Sequence, residues 1–208
     1  QTLLGGCCWS PQYLQVLWSG LCTPSDIYGH AGREEERSAF QFYDELLTDI
    51  IYMRKIRNPF IGKEGYNCFG CSPDNPFGLH MEFYEDGDDV VSYWHPHDHF
   101  QGWTGVMHGG ILATMIDETA GWVVMRKLQT SGMTSRLNLK YLYPLSSDSS
   151  QVTVRARITG RKRNYCVISV SLEDETGRTC VEAEAVYFAF NKERADEMGF
   201  SGCDLYEE

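Results

Sequence analysis

The stretch HGGILATMIDETAGWVVMRK, from His108 to Lys127, restricts the fold more than any other feature of the chain. Within it Ile111, Leu112, Met115, Ile116, Ala120, Val123 and Val124 recur at helical spacing. They cover most of the circumference rather than one stripe, so a helix here must be enclosed on several sides. Its flanks are strand-like. Residues 79–85 and 89–95 read as two strands joined by the turn Asp86-Gly87-Asp88. Residues 134–143, 151–160, 165–172 and 180–190 read as four more, rich in β-branched and aromatic residues and separated by short turns. Leu137, Leu139, Tyr141 and Tyr143 fall on one face, and Val152, Val154, Ala156 and Ile158 repeat the pattern. Residues 67–78, rich in Gly, Pro, Asn and Cys, and residues 97–107 read as loops. Two strands, one helix and four strands make an α+β domain in which a curved antiparallel sheet of about six strands wraps one long central helix.

Composition narrows the function classes. The 208 residues hold 18 Lys and Arg against 29 Asp and Glu, a net charge of −11. That balance excludes a general nucleic-acid binder, which needs a basic footprint. No apolar run approaches the ~18 residues of a membrane helix, so we expect no membrane partner. Eight cysteines, too few and scattered for a disulfide framework, fit buried reduced thiols and a cytoplasmic protein. Residues 1–52 differ from the rest. They contain a helical pattern over residues 34–52 (Phe40, Tyr43, Leu47, Ile50, Ile51) but little other periodicity, and their start makes a poor signal peptide. We expect Met53 to open the native domain, the stretch before it being non-native or a loosely structured extension. Beyond Met53 the remaining 16 basic and 22 acidic residues carry −6. The expected layout is an N-terminal extension over 1–52, a leading segment with a Cys-x-x-Cys loop over 53–78, the main domain over 79–190 and a tail over 191–208.

The residues that carry chemistry cluster at and after the helix start. Gly109 and Gly110 let a ligand approach the backbone where a helix leaves its first amides unpaired. With the helix dipole, those donors suit a polarised carbonyl or an oxyanion. Asp117 lies on a mostly apolar helix, where a carboxylate is costly without a partner or a task, unless it shares a solvated strip with Glu118. Cys68 and Cys71 have zinc-ligand spacing, but further ligands must converge on them. His80, His95, His97 and His99 are candidates, although the last three alternate into a loop and need not face one point. Buried reduced thiols are the plainer account.

The element order, with HGGILATMIDETAG at residues 108–121, resembles the hotdog-fold acyl-CoA thioesterases, and most closely the branch related to the phenylacetate-degradation thioesterase. The resemblance spans residues 67–190 and includes NCFGCSPDNPFGLH at 67–80 and MTSRLNLKY at 133–141. It implies hydrolysis of a thioester to a carboxylic acid and coenzyme A. The coenzyme is then part of the substrate, with no separate cofactor and no catalytic metal. It assigns Asp117 as general base or nucleophile, Gly109 as oxyanion donor, and Thr134 as a positioner of the attacking water, unless Thr134 is a plain strand residue. His108 would orient the carbonyl or hold the turn. Some relatives carry Asn where this chain has Gly102, which leaves Gln101 to contact substrate or water. Gly110, Trp103, Met107 and Trp122 are candidates for the substrate pocket. Arg161, Lys162 and Arg163, and less so Arg126 and Lys127, are candidates for the nucleotide phosphates. Gly109 and Asp117 are eight residues apart, ~12 Å along a helix, too far for one thioester carbon to meet both. Antiparallel helices of two subunits would bring them together, as in the family's dimer. We therefore expect a homodimer, alone or as a dimer of dimers, with two composite sites. The alternatives are a non-catalytic acyl-CoA-binding or sensor module of the same fold and, more remotely, a dehydratase.

Overall fold

The computed structural model of the chain describes residues 53–207. The helix expected over 34–52, and the rest of the N-terminal extension, lie outside the described residues. The central helix, α1, runs Gly109–Leu128. The main sheet is built from β1 (Arg54–Lys55), β2 (Tyr84–Asp86), β3 (Asp89–Trp94), β6 (Gly132–Tyr141), β7 (Val152–Lys162), β8 (Tyr165–Glu173) and β9 (Thr179–Ala189). Its order is β1-β2-β3-β7-β8-β9-β6, with every neighbouring pair antiparallel. A separate two-stranded ribbon pairs β4 (Gln101–Trp103) with β5 (Val106–Met107), and a short helix α2 (Lys192–Glu197) follows the sheet. No helix of the described residues is long and apolar enough to cross a membrane.

The apolar helix dictates the layout. Met115, Ile116, Ala120, Val123 and Val124 are fully buried, as are Val152, Val154, Ile168, Leu172 and Ala185 on the sheet. α1 touches β3, β6, β7, β8 and β9. Five strands at ~4.8 Å spacing are wider than a helix of ~10–12 Å diameter, so the sheet must curve to reach it from both sides. This is the hotdog arrangement that the sequence implies. His108 caps the helix N-terminus, its side chain accepting from the Gly110 amide, and Gln129 ends it in the left-handed conformation at φ 50°. Arg126 and Lys127 in the last turn both reach the Glu85 carboxylate at 2.8 Å. Burial works against that charge, but the two cations hold the Glu85 carboxyl below its usual range.

Several boundaries differ from the sequence reading. The sheet has seven strands rather than about six, because the two-residue β1 is too short to show a period. The strand expected over 79–85 shrinks to Tyr84–Asp86. Leu79, Met81 and Phe83 are buried, so the alternation is real, but Leu79 and Met81 donate their amides to Phe69 O and Gly70 O of the Cys-x-x-Cys loop. The loop expected over 97–107 contains the β4–β5 ribbon. The mostly charged α2 had no apolar period to reveal it.

The β8–β9 hairpin sets the register on which the site below depends, and Asp174 ties its turn. Asp174 Oδ1 accepts from the Thr176 amide at 3.0 Å, the Thr176 hydroxyl at 2.6 Å and the Arg178 amide at 3.1 Å. The Thr176 hydroxyl is the largest of the effects that lower its carboxyl from 3.8 to about 2. A carboxyl lowered in this way stabilises the fold fully above its unfolded value, and the contribution fades as pH falls towards 2. Asp174→Asn is expected to cost about 1–3 kcal/mol at neutral pH in denaturant unfolding. The gap between variant and wild type should narrow below pH ~4.

Candidate functional site

Asp117 lies two turns into α1 and is only partly buried. Its Oδ1 accepts from Thr134 Oγ1 at 2.7 Å and from Tyr187 Oη at 2.8 Å, and the same phenol lies 2.7 Å from the Asp117 backbone carbonyl. Oδ2 has no hydrogen-bond donor among the described residues. One oxygen is thus fixed and the other left available. Tyr187 is buried, and burial first, then the Asp117 charge, pushes its phenol far up, so it remains a neutral donor at physiological pH. Gly121, one turn beyond Asp117, makes room for it: a Cβ there would lie 3.3 Å from Tyr187 Oη.

Thr134 reaches Asp117 because β6 is irregular. Thr134 pairs with Tyr187, but the next pair is Arg136 with Val186, so Ser135 is an extra residue on β6. Leu137 and Leu139 point inwards against Ala185 and Ala183. In a regular strand Thr134 would face the opposite way from them. The bulge turns it to the helix side, a use of bulges that recurs beside active sites.

The helix start is a second cluster. His108 Nδ1 accepts from the Gly110 amide at 2.9 Å, so that donor is committed to the cap. The Gly109 amide has no acceptor among the described residues, and the Gly109 carbonyl accepts from Tyr141 Oη at 2.8 Å. His108 is thereby a structural cap, and Gly109 rather than Gly110 keeps a free N–H. Gly102 of the ribbon packs on His108: a Cβ there would come within 3.2 Å of His108 Cα. A larger residue at that position would press on the cap.

Other candidates are distributed less simply. Gln101 Nε2 donates to Ser147 Oγ at 3.1 Å, and its Oε1 accepts from the Gly105 amide at 3.3 Å, so one end ties the ribbon to the segment before β7 and the other closes the ribbon's turn. Trp103 is 82% exposed on the ribbon, whereas Met107 is buried in the core. Trp122 is also a core residue, its ring stacked on Phe83 at 4.5 Å between centroids. It lines a cavity of about 280 Å³ with Ile56, Cys71 and Phe83, and neither Asp117 nor Gly109 reaches that cavity. Trp122 thus lines a cavity apart from Asp117, and Met107 is enclosed by the core. Arg126 and Lys127 are tied to Glu85 rather than held for phosphates. Arg161, Lys162 and Arg163 are exposed at the β7–β8 tip, and none pairs with an acidic side chain among the described residues. The histidines do not converge on Cys68 and Cys71. His80 Nε2 lies 2.6 Å from Asn75 O, His95 Nδ1 lies 2.6 Å from Ser150 O, and His97 stacks on His99.

Sequence reasoning missed Tyr187 altogether and saw Tyr141 only as a strand residue. The signal for Tyr187 was present: a lone phenol between Ala185 and Ala189 on the inner face of β9 must find a polar partner.

Residues 104–181 match the family model of the thioesterase superfamily. No curated protein matches the chain. Among solved structures, a hypothetical thioesterase from Streptococcus pneumoniae is 23% identical, covering 61% of this chain and 100% of its own, with a TM-score of 0.50. A thioesterase from Haemophilus influenzae is 20% identical, covering 54% of this chain and 80% of its own, also at 0.50. The PaaI protein of the Escherichia coli phenylacetic acid degradation operon is 13% identical, covering 54% of this chain and 81% of its own, at 0.50. These structures share the hotdog fold of the domain, and the part of it over residues 104–181 is similar to the thioesterase superfamily.

The cap offers a direct check. His108→Ala removes the acceptor of the Gly110 amide and should cost about 0.5–2 kcal/mol in denaturant unfolding, the usual worth of a helix N-cap.

Proposed function

We propose that this domain hydrolyses acyl-coenzyme A thioesters to a carboxylic acid and free coenzyme A, at composite sites shared by the two subunits of a homodimer. The observation that carries the reading is the Asp117 carboxylate, with Oδ1 fixed by Thr134 and Tyr187 and Oδ2 without a donor among the described residues. A carboxylate held on one side and open on the other is poised to take a proton from water. Thr134, its own proton given to Asp117, keeps lone pairs that can accept from the same water. The water attacks the thioester carbon, Oδ2 takes its proton, and the Gly109 N–H of the other subunit stabilises the oxyanion. Collapse of the tetrahedral intermediate expels the coenzyme A thiolate, which recovers the proton from Asp117.

Two features support the sharing of the site. Gly109 and Asp117 of one helix are ~12 Å apart, so one chain cannot present both to a single carbon. Among the described residues β6 is the end strand of the sheet, with Met133 61% and Tyr141 53% exposed, and an edge of this length invites pairing with a second copy. The basic hairpin suits the nucleotide end of the substrate. Thr134, Tyr187, Cys166 and Arg161 occupy successive paired positions across β6, β9, β8 and β7. Three strand spacings, ~14 Å, thus separate the water-positioning residue from the arginines, leaving room for an extended pantetheine arm between them. The free thiols at Cys68, Cys71, Cys166, Cys180 and Cys203 suit a reducing, cytoplasmic setting.

A free-thiol assay over a panel of acyl-CoAs tests the reading. Asp117→Asn should lower kcat at least about 100-fold, and Tyr187→Phe about tenfold, the worth of one strong hydrogen bond. Turnover unchanged in Asp117→Asn would sink the assigned role, and binding without turnover on every acyl-CoA would turn the reading to a sensor module. Reversing the charges of Arg161, Lys162 and Arg163 should raise KM for acyl-CoA and leave KM for the matching acyl-pantetheine unchanged. Light scattering at micromolar concentration should report a dimer, and a monomer alone would overturn the composite site.

A further inference from the structure

Next to Asp117 in sequence, Glu118 points to a different part of the molecule, because successive residues of a helix are turned by ~100°. Its carboxylate meets the Cys-x-x-Cys loop. Cys68 Sγ lies 3.6 Å from Oε1 and 3.5 Å from Oε2, and one ligand atom each from Cys68, Cys71 and Glu118 all fall within 4.8 Å of one another. The loop is shaped around this group. A Cβ at Gly70 would come within 2.5 Å of Glu118 Cδ and Oε2, so only glycine leaves the carboxylate where it is. Trp122 Nε1 donates to Oε1 at 3.1 Å and orients the group from behind. Oε2 is left with a single weak partner, the Cys68 thiol, although the residue is half enclosed. Backbone bonds hold the loop in this shape, among them Ser72 N to Cys68 O at 3.2 Å and Leu79 N to Phe69 O at 2.8 Å.

We propose that Cys68, Cys71 and Glu118 form a binding site for one thiophilic divalent cation of the zinc class. Zn–S bonds of ~2.3 Å and Zn–O bonds of ~2.0 Å at tetrahedral angles put sulfur and oxygen ~3.5 Å apart. The Cys68–Glu118 separation of 3.5 Å already matches that edge. Binding releases the two thiol protons to solvent, and the two thiolates and the carboxylate then surround the dication. The fourth position is left to water, and Trp122 acts as the outer partner that fixes the carboxylate. The ligands come from a loop and a helix fifty residues apart in sequence, so the cation would pin the loop to α1. It takes no part in the proposed hydrolysis and does not depend on it.

The test uses the full chain, reduced and stripped of metal by a chelator, then titrated with Co²⁺. One equivalent per chain should produce a sulfur-to-cobalt charge-transfer band and intense tetrahedral d–d bands, both removed by Zn²⁺. Cys68→Ser and Cys71→Ser should each abolish the charge-transfer band or weaken binding at least about 100-fold, and Glu118→Gln should weaken it at least about tenfold. Because a cysteine variant can misfold, the wild type is also alkylated with and without Zn²⁺ and the labelled peptides are identified by mass. Protection confined to Cys68 and Cys71 is expected. No charge-transfer band in folded protein, a band that persists when both cysteines are replaced, or protection falling on other cysteines would overturn the site. Glu118→Gln binding as tightly as wild type would do the same.

Discussion

A helix that is apolar around most of its circumference cannot lie on a surface, and nearly everything in this domain answers that constraint. Thr119, Ala120, Val123 and Val124 are as dry as the residues of a two-sided core, yet one sheet has to cover them. The sheet does so by curving, so that β3 and β6 reach the two flanks of α1. The two carboxylates of the helix therefore lie where coverage is thinner. Asp117 faces β6 and β9 and finds Thr134 and Tyr187. Glu118 faces the Cys-x-x-Cys loop and finds thiols and an indole N–H. The positions of both carboxylates follow from which parts of the helix the sheet leaves open.

This explains what was legible in the sequence. The helix, the long strands and the α+β class are periodic features of runs of about ten residues, and burial made that periodicity strict. Asp117 stood out as a charge on an apolar helix. What stayed hidden depended on breaks in periodicity or on pairing partners. Thr134 has the wrong parity relative to Leu137 and Leu139, and only the extra residue Ser135 brings it round to Asp117. Residues 79–83 alternate like a strand, but their backbone partner is a loop, which no pattern within the segment encodes. Trp122 and Met107 look like pocket residues by type. Trp122 is a core residue because Phe83 comes from a segment nearly forty positions away to stack on it.

Histidine shows a related limit. His108 immediately precedes the glycines, which suggests that it orients the carbonyl or holds the turn. Its Nδ1 accepts from the Gly110 amide and closes the helix start, while Tyr141 holds the Gly109 carbonyl from β6. Two side chains from separate elements thus fix both ends of the Gly109–Gly110 peptide group, next to the Gly109 amide left free among the described residues. The preorganisation of that amide is a product of capping, and the residue that looks reactive serves the backbone beside it.

The asymmetry at Asp117 bears on why two chains would be needed. A carboxylate tied by two donors on one oxygen is held rigidly, and rigidity fixes its distance from everything else on the same helix. The free Gly109 amide is on that helix as well, two turns away, so no side-chain motion within one subunit brings the pair to a common atom. Flexibility in Asp117 would shorten the gap only by breaking the bonds to Thr134 and Tyr187, which in the proposed hydrolysis orient it for proton transfer. Under that proposal, positioning the base and completing the site within one chain are incompatible demands. An antiparallel second helix would meet both, because it would deliver a Gly109 amide from outside while leaving each Asp117 in its own cradle.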